Sequence, residues 1–140
     1  MIDDYAKFVD TTTSKASKCT STLNNRLDSL TGTTWHKGDE FGEELEVARL
    51  LTAVIGLQSE TGEFAEIVKK CIFQGKNLDE SVKFHLKREL GDIIWYWSQG
   101  VMSLGYTPSE VIQENINKLE KRYPDGFEVI RSEQRKQGDI

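Results

Sequence analysis

Two long runs of apolar residues at helical spacing, joined by a short connection, constrain the fold of this chain more than any other feature. From about Glu43 to Phe73, the residues Val47, Leu50, Val54, Leu57, Phe64 and Val68 recur three, four or seven positions apart. That repeat places side chains on one face of an α-helix. From about Asp79 to Leu104, Leu86, Leu90, Ile93, Trp97, Val101 and Leu104 form a second stripe of the same kind. Gly75-Lys76-Asn77 makes a turn between them. A connection this short allows the two helices to pack antiparallel, stripe against stripe.

The remaining segments extend the same architecture. Gly105 stands where a helix C-terminus favours glycine, and Thr107-Pro108-Ser109-Glu110 puts a capping residue ahead of a first-turn proline. A third helix is therefore expected from Pro108 to about Tyr123, stopped by Pro124-Asp125-Gly126. Residues 2 to about 30 carry a weaker pattern of Tyr5, Phe8, Val9, Leu23, Leu27 and Leu30, broken at Thr11 to Ser14, which predicts one interrupted helix or two short ones. Thr31 to Gly42, with three glycines, reads as a loop containing Trp35 and His36. The expected fold is all-α, a bundle of about four to five helices forming one domain over residues 1–126, with its core at about 43–124. Residues 127–140 are polar and are expected to form a tail or docking arm.

Charge and cysteine content narrow the function. Eighteen Lys and Arg against 23 Asp and Glu give a formal net charge of -5, a field that repels a nucleic-acid backbone. No nucleic-acid partner is expected. A small polyphosphate remains a suitable ligand, because divalent cations between carboxylates and phosphates reverse the local sign. Cys19 and Cys71 form no metal-binding or disulfide framework, which suits a reducing compartment. The N-terminus has no apolar leader, and no segment approaches the roughly 18 apolar residues of a membrane helix. These features predict a cytoplasmic protein without a membrane partner.

The first long helix contains Glu60-Thr61-Gly62-Glu63, with Glu66 continuing the row, and the second contains Glu89-Leu90-Gly91-Asp92. Residues three apart are neighbours on a helix surface, so each pair projects from one side. Antiparallel packing would bring the two pairs face to face. Four carboxylates gathered this way repel, each pair at about 4 Å costing on the order of 4 kcal/mol at an effective dielectric of about 20. Hard divalent cations relieve this, and Mg²⁺ suits a site in which a few carboxylates are joined by substrate phosphates and water. Gly62 and Gly91 each cost about 1 kcal/mol relative to alanine within a helix, which points to close helix approach or to room for a ligand. A solvated acidic face is the ordinary use of one such pair, but both pairs here border apolar stripes, where unpaired carboxylates are costly.

On the third helix, Asn115, Lys118 and Arg122 recur at three and four residues. Lys118 can act as a point charge on phosphate oxygens and Arg122 as a planar fork. A Lys/Arg stripe is also a common solvent-facing feature. Of the aromatic residues, Trp35 in the glycine-rich loop is the candidate for contact with a base, whereas Trp97, on the apolar stripe, is expected to pack in the core. Trp95 and His36 could add to the aromatic surface, and His36 and His85 could act as ligands, although a lone histidine is more often structural or exposed.

The order ExxE, ExxD and then KLxxRYPxGF, in this chain Glu60 to Glu66, Glu89 to Asp92 and Lys118 to Phe127, resembles the MazG-like all-α nucleotide pyrophosphohydrolases. The likeness covers roughly Leu50 to Phe127 and extends to short, single-domain, phage-encoded members, whose compartment is the host cytoplasm. It implies a helical bundle in which Glu60, Glu63, Glu89 and Asp92 ligate Mg²⁺, with Mn²⁺ as a possible substitute. Lys118 and Arg122, with Asn115, would hold phosphates, and dimers or tetramers would complete the nucleotide pocket. The expected reaction is hydrolysis of an NTP or dNTP to the monophosphate and pyrophosphate, with Glu63 orienting or deprotonating the attacking water.

Two other readings compete. A di-iron carboxylate bundle calls for ExxH motifs, but Thr33 and Val82 stand three residues before His36 and His85. A non-catalytic helical oligomer, its acidic rows binding ions or a basic partner, would match the same pattern without turnover.

Overall fold

The computed structural model describes residues 2–31 and 45–134. Among them are seven helices: α1 (Ile2–Thr12), α2 (Lys15–Lys18), α3 (Thr20–Thr31), α4 (Val47–Gln74), α5 (Glu80–Ser103), α6 (Pro108–Arg122) and α7 (Val129–Glu133). No strand occurs among the described residues, so the architecture is all-α. Five helices have eleven or more residues, and α2 and α7 are single turns.

The antiparallel α4–α5 hairpin carries most of the packing between elements. Gly75, at φ 70, ends α4 in the left-handed conformation that glycine adopts without penalty. Four residues later, the Asp79 side chain accepts a 2.9 Å hydrogen bond from the Val82 N–H and starts α5. At the far end, the Glu46 N–H donates to the Ser103 carbonyl at 3.2 Å, tying the entry of α4 to the last residue of α5. Buried apolar side chains cluster near that end, with Leu45, Val47 and Ala53 before and within α4 and Val101 on α5, while Val82 is buried at the turn end of α5. Ser103, fully buried, donates to the Gly100 carbonyl at 2.7 Å, so its hydroxyl is satisfied.

Gly105 and Tyr106 close α5, their N–H groups bonding to the Met102 and Val101 carbonyls at 3.0 and 3.3 Å. Gly105 takes φ 70, as a Schellman turn requires. The capping residue expected before Pro108 is present, and it forms a capping box with Glu110. The Thr107 N–H donates to Glu110 Oε2 at 2.7 Å, and the Glu110 N–H to Thr107 Oγ1 at 3.3 Å.

The N-terminal segment has two breaks where the sequence pattern predicted one. Thr11 and Thr12 turn their hydroxyls back onto the Lys7 and Phe8 carbonyls as α1 ends, and Ser14 caps α2. Cys19 then adopts an extended conformation that separates α2 from α3. None of these three helices contains a buried residue.

The buried seam follows the periodicity only in part, at Val47 and Val101. Val54 and Leu90, both read as stripe residues, are half exposed at 53% and 50%. The seam is formed instead by Ala53 and Gly56, whose small size permits close approach of the backbones. No helix among the described residues is long and apolar enough to cross a membrane.

Candidate metal centre

The hairpin runs in one continuous register. Glu46 meets Ser103, Ala53 lies against Gly100 and Gly56 against Tyr96. One turn further along α4, Glu60 meets Glu89 and feels the charge of Asp92. Three carboxylates, from Glu60, Glu63 and Glu89, each offer an oxygen within 4.8 Å of the others. Asp92 does not join that trio at the same distance, although its charge bears on Glu60.

Partial loss of hydration raises the Glu60 pKa above its ordinary 4.5, and the charges of Glu63, Asp92 and Glu89 add to the effect. A hydrogen bond shared with Glu89 acts in the same direction. Glu60 and Glu89 are half-buried, whereas Glu63 opens to solvent. The group is therefore a concentration of negative charge that a cation would relieve. Its donors are hard carboxylate oxygens, and no imidazole or thiol joins it among the described residues. Such a set fits a hard divalent ion.

Glu66 continues the acidic row in sequence but has a different role. It pairs with Lys69 and, at 3.4 Å, with Lys70, and these lysines hold its carboxyl below the usual range. Together with Ser59, Gly62, Glu63, Ile67 and Lys70, it lines a shallow depression of about 330 Å³.

The glycines between the acids serve room and not contact. A Cβ added at Gly62 or at Gly91 would meet nothing within 4 Å. Close approach occurs instead at Gly56, which the sequence reading passed over. The available signal was a helix-weakening glycine inside the apolar run Leu50 to Leu57.

Asn115 and Lys118 are exposed on α6 and share a groove of about 850 Å³ with Trp97, Tyr106, Val111 and Ile112. Trp97, assigned to core packing, is half-buried and forms part of that wall. Arg122 does not line the groove. It is half-buried at the end of α6, its guanidinium 5.9 Å from the centre of the Tyr123 ring. Arg131 of α7 donates to the Arg122 carbonyl at 3.5 Å. Trp95 is 53% exposed and stands edge-on to Tyr96, with ring centres 4.8 Å apart. His85 is exposed and edge-on to Phe84. Trp35 and His36 lie outside the described residues.

Comparison with known proteins identifies the segment that carries the acids. The family model for the MazG nucleotide pyrophosphohydrolase domain matches residues 49–127, which include α5, α6 and nearly all of α4. The Gene 37 protein of Mycobacterium phage L5 is 39% identical over 74 residues, 51% of this chain. The match spans 64% of that relative's length. No solved structure matches the chain.

Proposed function

Because this chain belongs to the MazG nucleotide pyrophosphohydrolase family, we propose that it hydrolyses a nucleoside or deoxynucleoside triphosphate between the α- and β-phosphates. The reaction is Mg²⁺-dependent and yields the monophosphate and pyrophosphate. The observation that carries this reading is the convergence of the Glu60, Glu63 and Glu89 carboxylates within 4.8 Å, inside the segment that matches the family.

In this reading Glu60, Glu63, Glu89 and Asp92 hold Mg²⁺, or Mn²⁺ in its place. When bound, the ion supplies positive charge to the phosphate oxygens and lowers the pKa of coordinated water. Glu63 is the most open of the gathered trio, so a proton taken there passes readily to solvent. That openness suits it to orient the attacking water and accept its proton. Lys118 and Asn115 approach the polyphosphate from α6, and Arg122 offers two parallel N–H groups to the leaving pyrophosphate. Trp35 is the proposed contact for the base.

A homo-oligomer, dimer or tetramer, is part of the same proposal. Both hairpin helices leave large apolar side chains uncovered, among them Ile55 at 70%, Ile94 at 64% and Trp95 at 53% exposure. Large apolar side chains left uncovered in this number favour association. Sedimentation of the full chain is expected to give a multiple of 16.0 kDa, and a stable monomer would overturn this part.

Product analysis with Mg²⁺ and a panel of NTPs and dNTPs tests the reaction. Monophosphate and pyrophosphate in equal amounts are expected. Release of orthophosphate alone would refute the choice of bond. Absence of turnover across the panel, with Mn²⁺ as well as Mg²⁺, would favour the non-catalytic oligomer.

A further inference from the structure

Gly56 is buried at the seam, and a Cβ added to it would collide with ring carbons of Tyr96 on the facing helix. The same addition at Gly100 would make only an ordinary contact, 3.4 Å from the Ala53 Cβ. Among the described glycines of the hairpin, Gly56 is the one where a facing side chain, the Tyr96 ring, occupies the space a Cβ would need. That point is one turn from Glu60 on α4 and from Asp92 on α5, and two turns from Glu89. Gly56 precedes Glu60 by four residues, and Tyr96 follows Asp92 by four and Glu89 by seven. Four residues of helix rise only about 6 Å, too little length for a displacement at the seam to dissipate.

We propose that Gly56 is a positioning residue for the carboxylate centre. Its missing side chain leaves room for the Tyr96 ring, so no collision at the seam pushes the helices apart where Glu60 meets Glu89. The proposal rests on reading the acids as divalent-metal ligands. Mg²⁺ demands near-octahedral oxygens at about 2.0–2.1 Å, so a seam widened by even part of a methyl group spoils the set. Interior packing transmits such a change, because little void is available to absorb it.

Mn²⁺ binding to the full chain, followed by the loss of free-ion EPR signal with no nucleotide present, provides the test. Circular dichroism is recorded alongside to establish folding. Gly56→Ala is expected to stay helical and bind Mn²⁺ about 10- to 100-fold more weakly, the range seen when supports of metal ligands are removed. Tyr96→Leu should bind within about threefold of wild type, and Gly56→Ala combined with Tyr96→Leu should match Tyr96→Leu, since removal of the ring removes the collision. Wild-type affinity in folded Gly56→Ala overturns the proposal, as does a loss that Tyr96→Leu fails to rescue. If Gly56→Ala does not fold, Tyr96→Trp, which presses on the same glycine from the other side, is read in its place with the same expectation. Full affinity in that variant, or failure of both to fold, assigns the contact to the fold alone and likewise overturns the proposal. A wild-type chain that binds no Mn²⁺ defeats the metal reading itself, a distinct outcome.

Discussion

The N-terminal helices and the α4–α5 hairpin are both helical, yet they differ in what holds them. Helices α1 to α3 show apolar residues at helical spacing, but Tyr5 and Phe8 remain 67% and 62% exposed and no residue is buried. Their local order rests on hydroxyl-to-carbonyl bonds and on the Ser14 cap. The hairpin is held by register: a closing hydrogen bond at Ser103, small residues at 53 and 56, and a turn ended by Gly75. Helical periodicity alone therefore does not tell which helix is fixed in space. Chemistry that needs tenths of an ångström belongs to the helix pair in which each residue has a fixed opposite.

Four measurements can break or sharpen this contrast. The largest effect is expected on turnover. Asp92→Ala should lower pyrophosphate release by more than about 100-fold, since even indirect supports of metal ligands are worth 10- to 100-fold. Near-normal turnover in a folded Asp92→Ala protein would remove that carboxylate from the centre. Next comes Ala53→Leu, which inserts bulk where α4 and α5 touch and should cost about 1–3 kcal/mol. Urea unfolding should show this as a lower midpoint at an unchanged slope.

The third effect depends on pH. The raised Glu60 pKa means that its charged form is disfavoured in the folded chain, so the cost of lost hydration and of repulsion by Glu63, Asp92 and Glu89 is fully present at neutral pH. It is relieved as pH falls through the raised value and is gone below the ordinary 4.5. Metal-free Glu60→Gln should therefore melt above wild type at neutral pH, with the gap closing on acidification. A gap that stays constant would mean that Glu60 carries no such repulsion, and added Mg²⁺ should reduce the gap at neutral pH. The smallest effect is expected at α1. Phe8→Ser should change stability by no more than about 0.5 kcal/mol, as at other exposed positions. A loss of several kcal/mol would show that α1 is anchored after all, for example against another copy of the chain.

Much of the fold was legible because its signals are local. Asp79 and Thr107 cap helices where a short polar side chain precedes a helical run, and Gly75 and Gly105 end helices in the conformation they adopt most readily. The candidate centre was legible in part. Acidic pairs three apart project from one side of a helix by geometry alone, and a short turn brings two helices face to face. The seam was harder to read, because hydrophobic periodicity favours large residues. It pointed to Val54 and Leu90, which are half exposed, while the tightest contact is between Gly56 and Tyr96. Which glycine lies at an interface depends on what faces it, and one helix does not encode that. Gly62 and Gly91 stand in open space for the same reason. Trp97, expected in the core, is half-buried, since α6 leaves a groove beside it.

The tie between Glu46 and Ser103, taken with the Gly75 turn, pins the hairpin at both ends and makes it behave like a vernier scale. Exchanging one side chain for another leaves the two scales aligned. Adding or deleting a single residue anywhere between the pins would rotate everything beyond it by about 100° and swing one acidic pair away from the other. Descendants of this chain can vary widely in the composition of α4 and α5, but their lengths can change only in coordinated steps.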